Sequence, residues 1–205
     1  MTRPRCTAAA VAAGAILIAA GGCAAPGSAR PPSGPRQEMT SVLAASAPHP
    51  SLGDQARVWD RFVGTWDCDF GFYLDDGSVR RAAGELTFGW VLDGRALQDI
   101  WISYPKDSTK ERNMGTSIRF FDDKSRTWRV VFVSPANGGL LTVQGGVEGI
   151  RIVLRGTDDE GAALRWSFND IQADSFVWRG EKSRDGGKTW RLEEEHRMKR
   201  RAMTR

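Results

Sequence analysis

Residues 64–74 read GTWDCDFGFYL, and large apolar side chains alternate there with polar or small ones. Trp66, Cys68, Phe70 and Phe72 occupy one parity, and acidic or glycine residues occupy the other. Because successive side chains of a strand point to opposite faces, this pattern predicts a strand with one packed face and one wet face.

The same alternation continues outward from this stretch. GELTFGWVL (84–92) repeats it, and eight further strand-like runs follow, separated by turn signals such as LDGR, DDKSR and DDEG. The spacing leaves no room for crossover helices. A long antiparallel meander escapes its two open edges by closing on itself. The sequence therefore predicts an all-β fold, an antiparallel up-and-down β-barrel of about ten strands.

The residues before the first strand show a different spacing of apolar side chains. In SLGDQARVWDRFVGTW (51–66), apolar residues recur at helical spacing, through Leu52, Ala56 and Trp59. This pattern predicts a short amphipathic helix in front of the barrel.

A helix followed by GTW and a closed meander resembles the calycin superfamily of lipocalins and fatty-acid-binding proteins. The resemblance implies that Trp66 lies at the closed barrel end beneath a basic residue of the last strand. Arg197, Lys199 and Arg200 all remain open for that role. Further phrases, FVGTWD, LDGRALQDIW and DSFVWRGEKSRDGGKTW, resemble a bacterial lipocalin-like family catalogued as a domain of unknown function. The resemblance covers roughly residues 52–200 and implies no established activity.

The N-terminus has the features of an export signal. Two arginines precede the apolar run AAAVAAGAILIAA, which is shorter than the roughly 20 residues of a membrane-spanning helix, and GGC follows. This arrangement resembles a bacterial lipoprotein signal in which Cys23 is acylated, although Ala20 stands where leucine is usual. An ordinary signal peptide cut after a nearby alanine is the alternative. The predicted organisation is a signal at 1–23, a disordered tether at 24–50, a barrel at 51–201 and a basic tail at 202–205.

Charge and cysteine content exclude other classes. The formal charge of +4 is too small to indicate a nucleic-acid partner. Of three cysteines, only Cys68 lies in the predicted barrel, so a disulfide framework is excluded. Its acidic neighbours disfavour a thiolate, and we interpret it as a small buried hydrophobe.

A ten-stranded barrel is wide enough to hold a cavity. An aromatic lining with few polar groups suits a small hydrophobic molecule. A filled core without a ligand is the alternative, because aromatic alternation also fills barrels. The candidate lining residues are Trp66, Cys68, Phe70, Phe72, Phe88, Trp90, Trp101 and His196.

His196 shares a strand face with Glu194 near the chain end. Nitrobindins, a related branch of β-barrels, ligate haem through a histidine in such a position, so haem or nitric oxide binding is a rival hypothesis. One histidine and one cysteine are too few ligands for zinc, and we expect neither a metal nor a cofactor. Glu194 and His196 are also the only plausible acid–base pair, but we expect no enzymatic activity.

The segment SRDGGKTW (183–190) fits the Asp-box of sialidases, which recurs from blade to blade in a propeller. Here it occurs once as a good copy, and we interpret it as a tight hairpin turn. Charged residues at strand positions, such as Asp99, Arg119 and Arg179, are expected to face solvent, since an inward one needs a partner.

These observations predict an exported lipoprotein, held at the cell membrane or envelope by an N-terminal lipid. Its barrel is expected to bind or carry a small hydrophobic molecule. A structural or interaction module of the envelope, with a filled barrel, is the alternative.

Overall fold

The computed structural model describes residues 39–106 and 111–202. Two short helices are α1 (Met39–Leu43) and α2 (Ala56–Asp60), and a 3-10 turn, Pro50–Gln55, leads directly into α2. The strands are β1 (Ala44–Ala45), β2 (Gly64–Tyr73), β3 (Val79–Val91), β4 (Ala96–Ser103), β5 (Asn113–Asp122), β6 (Thr127–Ser134), β7 (Gly139–Glu148), β8 (Arg151–Thr157), β9 (Ala163–Asn169), β10 (Ser175–Ser183) and β11 (Arg191–Arg200).

Strands β2 to β11 form a closed barrel. Each pairs antiparallel with the next along the chain, and β11 returns to pair with β2, where Arg200 lies opposite Trp66. The predicted all-β up-and-down barrel of ten strands is confirmed. Closure satisfies the backbone groups that an open sheet would leave at its edges.

The predicted helix in front of the barrel is also confirmed, as α2 with its preceding 3-10 turn. Trp59 and Phe62, on α2 and just after it, are 0% exposed and pack inside one end of the barrel. We call this the closed end, and define it by α2 together with Phe62, Trp66 and Phe176. The opposite end, which we call the mouth, is formed by the β2–β3, β6–β7, β8–β9 and β10–β11 turns, together with residues 104–106 and 111–112 between β4 and β5.

The predicted tether reaches too far along the chain at its C-terminal end. Ala44 and Ala45 pair with Val91 and Trp90, and the His49 amide donates to the Gly94 carbonyl at 2.9 Å. Strand β3 extends beyond the end of β2, and the short segment β1 pairs with the backbone left free there. Composition does not reveal this contact, because backbone atoms make it. Residues 24–38 of the tether, and the signal at 1–23, lie outside the described residues.

The SRDGGKTW segment is the β10–β11 turn. Gly186 and Gly187 adopt positive φ angles of 71° and 89°, and the Asp185 carboxylate accepts hydrogen bonds from the Lys188 and Thr189 amides. The Trp190 indole donates back to the Gly187 carbonyl at 3.0 Å. The interpretation of this motif as a turn is confirmed. Across residues 39–106 and 111–202, every helix is too short or too polar to cross a bilayer.

Candidate functional site: an aromatic cavity

A cavity of about 980 Å³ opens at the mouth and extends into the barrel. Its volume falls at the upper end of the roughly 300–1,000 Å³ range of small-molecule pockets. The interior of the barrel is therefore not filled by its own side chains.

Six rings, which we call the aromatic belt, encircle this cavity. Consecutive ring centroids lie 4.9–6.4 Å apart, a normal spacing for interacting aromatic pairs. In order around the barrel, the belt consists of Phe70, Trp101, Phe132, Trp166, Trp178 and His196. Each side chain lines the cavity, so an entering molecule meets aromatic surface on all sides.

Two glycines in the barrel wall leave room for rings of the aromatic belt to lie against the backbone. A Cβ atom on Gly84 would lie 2.4 Å from the Phe70 ring, and one on Gly115 would lie 2.7 Å from the Trp101 indole nitrogen. Both distances are shorter than van der Waals contact. Glycine at these positions therefore leaves the space that the rings occupy.

The structure separates the eight predicted lining residues into two groups. Those that line the cavity are Phe70, Phe72, Phe88, Trp101 and His196. Trp66, Cys68 and Trp90 also point inward and are buried, but they belong to the packed core and are not among the residues that line the cavity. Alternation along a strand predicts direction and not depth, which explains why these three residues were placed in the lining.

Trp66 and Trp90 belong to the closed end. The Trp66 indole donates to the Phe62 carbonyl at 2.8 Å, and the Trp90 indole donates to the Asp60 carboxylate at 2.9 Å. Both bonds tie the barrel wall to α2 and the residues that follow it.

Arg200 is the basic residue over Trp66. Its guanidinium carbon lies 4.1 Å from the centre of the Trp66 ring, and its N–H groups donate to the Val63 and Ala173 carbonyls at 2.8 and 3.0 Å. Of the three basic residues left open by the sequence, the structure selects this one. It links β11 to the residues that lead into β2.

Cys68 is a buried, weakly acidic thiol. Burial, together with the carboxylates of Asp67 and Glu85, raises its pKa to about 12. Met198, rather than His196, lies opposite Cys68 on β11. These features match a small core side chain and not a reactive thiol.

His196 forms the predicted pair with Glu194. Their Nε2 and Oε2 atoms are 3.0 Å apart, and the imidazole stacks on Trp178 with a centroid distance of 4.9 Å. Its Nδ1 atom is buried and has no hydrogen-bond partner among residues 39–106 and 111–202. Haem ligation through Nε2 would replace the contact with Glu194, and haem binding by His196 stays a prediction.

Asp99 and Arg119 face the interior, so the expectation that they face solvent is wrong. Arg119 is 2% exposed, and its Nη2 atom donates to the Asp99 carboxylate. Burial raises the pKa of the Asp99 carboxyl, and the positive charge of Arg119 opposes that rise. Each residue supplies the partner that an inward charge requires.

Three members of the belt were not among the lining residues predicted from the sequence. Phe132, Trp166 and Trp178 continue the period-two patterns of TWRVVFVS, LRWSFNDI and SFVWRGE. The signal was present in each run. The sequence did not show which of the two alternating sets of side chains points inward. Pairing with the neighbouring strands decides this.

Charged side chains surround the mouth. Lys182 lies 2.5 Å from Asp158 and 3.4 Å from Glu160, and its hydrogen bond lowers the pKa of Asp158. Arg80 covers the outer face of Phe72, with its guanidinium carbon 4.1 Å from the ring centre. A molecule that enters the cavity passes from this charged rim to the aromatic belt.

Comparisons with known proteins support the fold. The chain resembles the crystal structure of Rv2717c from M. tuberculosis, with a TM-score of 0.54 and 16% identity, over 76% of this chain and 99% of that one. It also resembles an S-type phycobiliprotein lyase, CPES from Guillardia theta, with a TM-score of 0.53 and 12% identity, over 72% of this chain and 93% of that one. No family model matches the chain, and no curated protein matches it.

At such low identity these likenesses concern the fold alone. Together with the closed ten-stranded antiparallel sheet, they fit a lipocalin-like barrel fold.

Proposed function

We propose that this barrel binds a small, largely apolar molecule and carries or stores it without chemical conversion. The observation that supports the proposal is the cavity of about 980 Å³ within a continuous aromatic belt. Belt residues such as Trp101, Phe132 and Trp178 are only partly buried although they point inward. An apolar ligand would cover this surface, and its removal from water would drive binding.

The likeness to CPES, a phycobiliprotein lyase, is consistent with this proposal at the level of fold. The filled-barrel alternative has less support, because the cavity volume of about 980 Å³ is large enough for a drug-sized molecule.

The proposal also includes a cellular location, at a membrane surface. Residues 1–23 resemble a lipoprotein signal, and an acylated Cys23 followed by a long tether would hold the barrel near a membrane surface. We also propose that the chain belongs to the bacterial family of unknown function that FVGTWD, LDGRALQDIW and DSFVWRGEKSRDGGKTW resemble. In a Cys23→Ala variant expressed in the native host, we expect the protein to leave the membrane fraction. Continued membrane association would contradict the lipid anchor and leave the ligand proposal untouched.

Binding is tested with a neutral fluorescent probe, N-phenyl-1-naphthylamine, whose emission rises in apolar surroundings. We expect saturable one-site binding to the whole chain. Ala82 lines the cavity and Ala83 points outward on the same strand, so Ala82→Trp and Ala83→Trp form a matched pair.

The inward tryptophan occupies cavity volume, and we expect it to weaken probe binding at least tenfold, whereas the outward one leaves binding unchanged. Equal affinities for the two variants would show that the probe binds elsewhere. Native mass spectrometry of protein from its own host would then reveal a retained ligand and whether that ligand is intact.

A further inference from the structure

The polar group at the inner end of the cavity is the Asp99–Arg119 ion pair. Both side chains line the cavity, and they are 5% and 2% exposed. The Ser117 amide donates to the second carboxylate oxygen at 3.2 Å, so both oxygens of Asp99 have partners.

Arg119 retains unused hydrogen-bond donors. Its Nε and Nη1 atoms are buried and have no hydrogen-bond partner within the described residues, 39–106 and 111–202. The rings of Trp59 and Phe88, centred 4.6 and 5.2 Å from the guanidinium carbon, contact its face but accept no conventional hydrogen bond at its edge. A buried donor of a charged group without an acceptor is strongly unfavourable. Arg119 lines the cavity, so an occupant supplies that acceptor once a small shift of the side chain uncovers Nε or Nη1, which neighbouring residues cover in this structure.

The charge of Arg119 already has its counterion. A second anion beside Asp99 would leave one net negative charge among Leu154, Phe168 and Met198, which also line this region. An unpaired charge in such surroundings is costly, whereas an uncharged oxygen satisfies the N–H groups and preserves neutrality.

We propose that the molecule carried by this barrel bears an uncharged oxygen acceptor, a ketone, aldehyde, ester or amide carbonyl, at the end that enters first. The free N–H groups of Arg119 donate to this carbonyl, and the aromatic belt encloses the apolar remainder. The inference rests on the proposed function and narrows its ligand class.

Three rod-shaped biphenyls with different end groups test the inference. They are 4-acetylbiphenyl, 4-ethylbiphenyl and biphenyl-4-carboxylate, and each is titrated against bound N-phenyl-1-naphthylamine on the whole chain at pH 7. We expect the ketone to bind about tenfold more tightly than the ethyl compound, as a hydrogen bond to a charged donor provides. We expect the carboxylate to bind at least tenfold more weakly than the ketone.

A charge-neutral double variant, Asp99→Leu with Arg119→Met, removes the donors. Replacing both members of a buried pair with apolar residues is often neutral for stability, whereas removing one leaves an uncompensated charge. In this variant we expect the ketone and the ethyl compound to bind with equal affinity. If the variant does not fold, as judged by circular dichroism, the three ligands on the unmodified chain decide the question.

The outcomes separate the two proposals. Failure of all three biphenyls and of the probe to bind would overturn the proposed function and this inference together. Equal affinity for the ketone and the ethyl compound would overturn only the inference. Tightest binding of the carboxylate, or a ketone preference that survives in the double variant, would also overturn it.

Discussion

The closed end and the cavity half of this barrel are built from the same strands, yet they pack differently. At the closed end, Trp59, Phe62, Trp66 and Phe176 are at most 1% exposed. In the cavity half, several inward aromatic residues remain partly exposed, among them Trp101, Phe132 and Trp178.

The difference comes from α2 and the turn that follows it. Phe62 lies 4.9–6.4 Å, between ring centroids, from Trp66, Phe88 and Phe176, so residues outside the barrel strands complete the core there. In the part of the chain that the structure describes, the mouth carries no α-helix and only the single 3-10 turn Pro135–Asn137, and charged turns there surround open space. Inward direction therefore becomes burial only where something fills the space between the walls.

The largest expected effect comes from truncating the plug. We expect Phe62→Ala to lower the free energy of unfolding by about 3–5 kcal/mol, because it leaves a cavity in a fully packed region. Phe72→Ala at the cavity wall removes a partly exposed ring, and we expect a loss of at most about 1 kcal/mol. Urea unfolding measures both.

Similar losses for the two variants would contradict the distinction between a packed end and an open end. If Phe62→Ala does not fold, Phe62→Leu provides a milder version of the same comparison.

A smaller effect is expected from the link between the last strand and the first. Arg200→Met removes the hydrogen bonds to the Val63 and Ala173 carbonyls, and we expect a loss of about 1–3 kcal/mol. Arg197→Met is the matched control on the same strand, since that side chain is 61% exposed and its ion pair is with Glu195. We expect it to change stability by about 1 kcal/mol or less. An equal loss of stability in the two variants would contradict a stabilising role for the contacts of Arg200 at the closed end.

The smallest effect concerns the mouth, where polar turns rather than packing hold the chain. Hydrogen bonds from Thr189 lower the pKa of Asp185 from 3.8 to about 2. A lowered pKa in the folded state stabilises the fold above the ordinary value and loses that contribution as the pH falls towards 2. We expect Asp185→Asn to lower Tm at pH 7, with the difference from the unmodified chain shrinking between pH 4 and pH 2.

Asp159→Asn, at an exposed aspartate in another mouth turn, is the control for loss of a surface carboxylate, and we expect it to lower Tm at pH 7 less than Asp185→Asn does. If the Tm difference for Asp185→Asn were constant with pH, the ionised Asp185 carboxylate would not be the group that stabilises this turn.

Much of this architecture was predictable from local patterns. GTWDCDFGFYL and its successors carried the alternation that defines strands, and SRDGGKTW carried the glycines of a tight turn. The depth of each inward side chain was not predictable, because Trp66 and Phe70 follow one pattern but lie in different layers. The pairing of Asp99 with Arg119 was equally hidden, since the two residues are distant in sequence and meet only when β4 and β5 align.

The amino-acid sequence by itself determined that this chain forms a ring of antiparallel strands with an aromatic inner face, because side-chain parity and turn chemistry act over a few neighbouring residues. Tertiary structure alone decided which aromatic rings pack against α2, which surround a cavity, and where a buried arginine keeps unused donors. Those outcomes depend on distances between strands that are far apart along the chain, and closure of the barrel sets these distances.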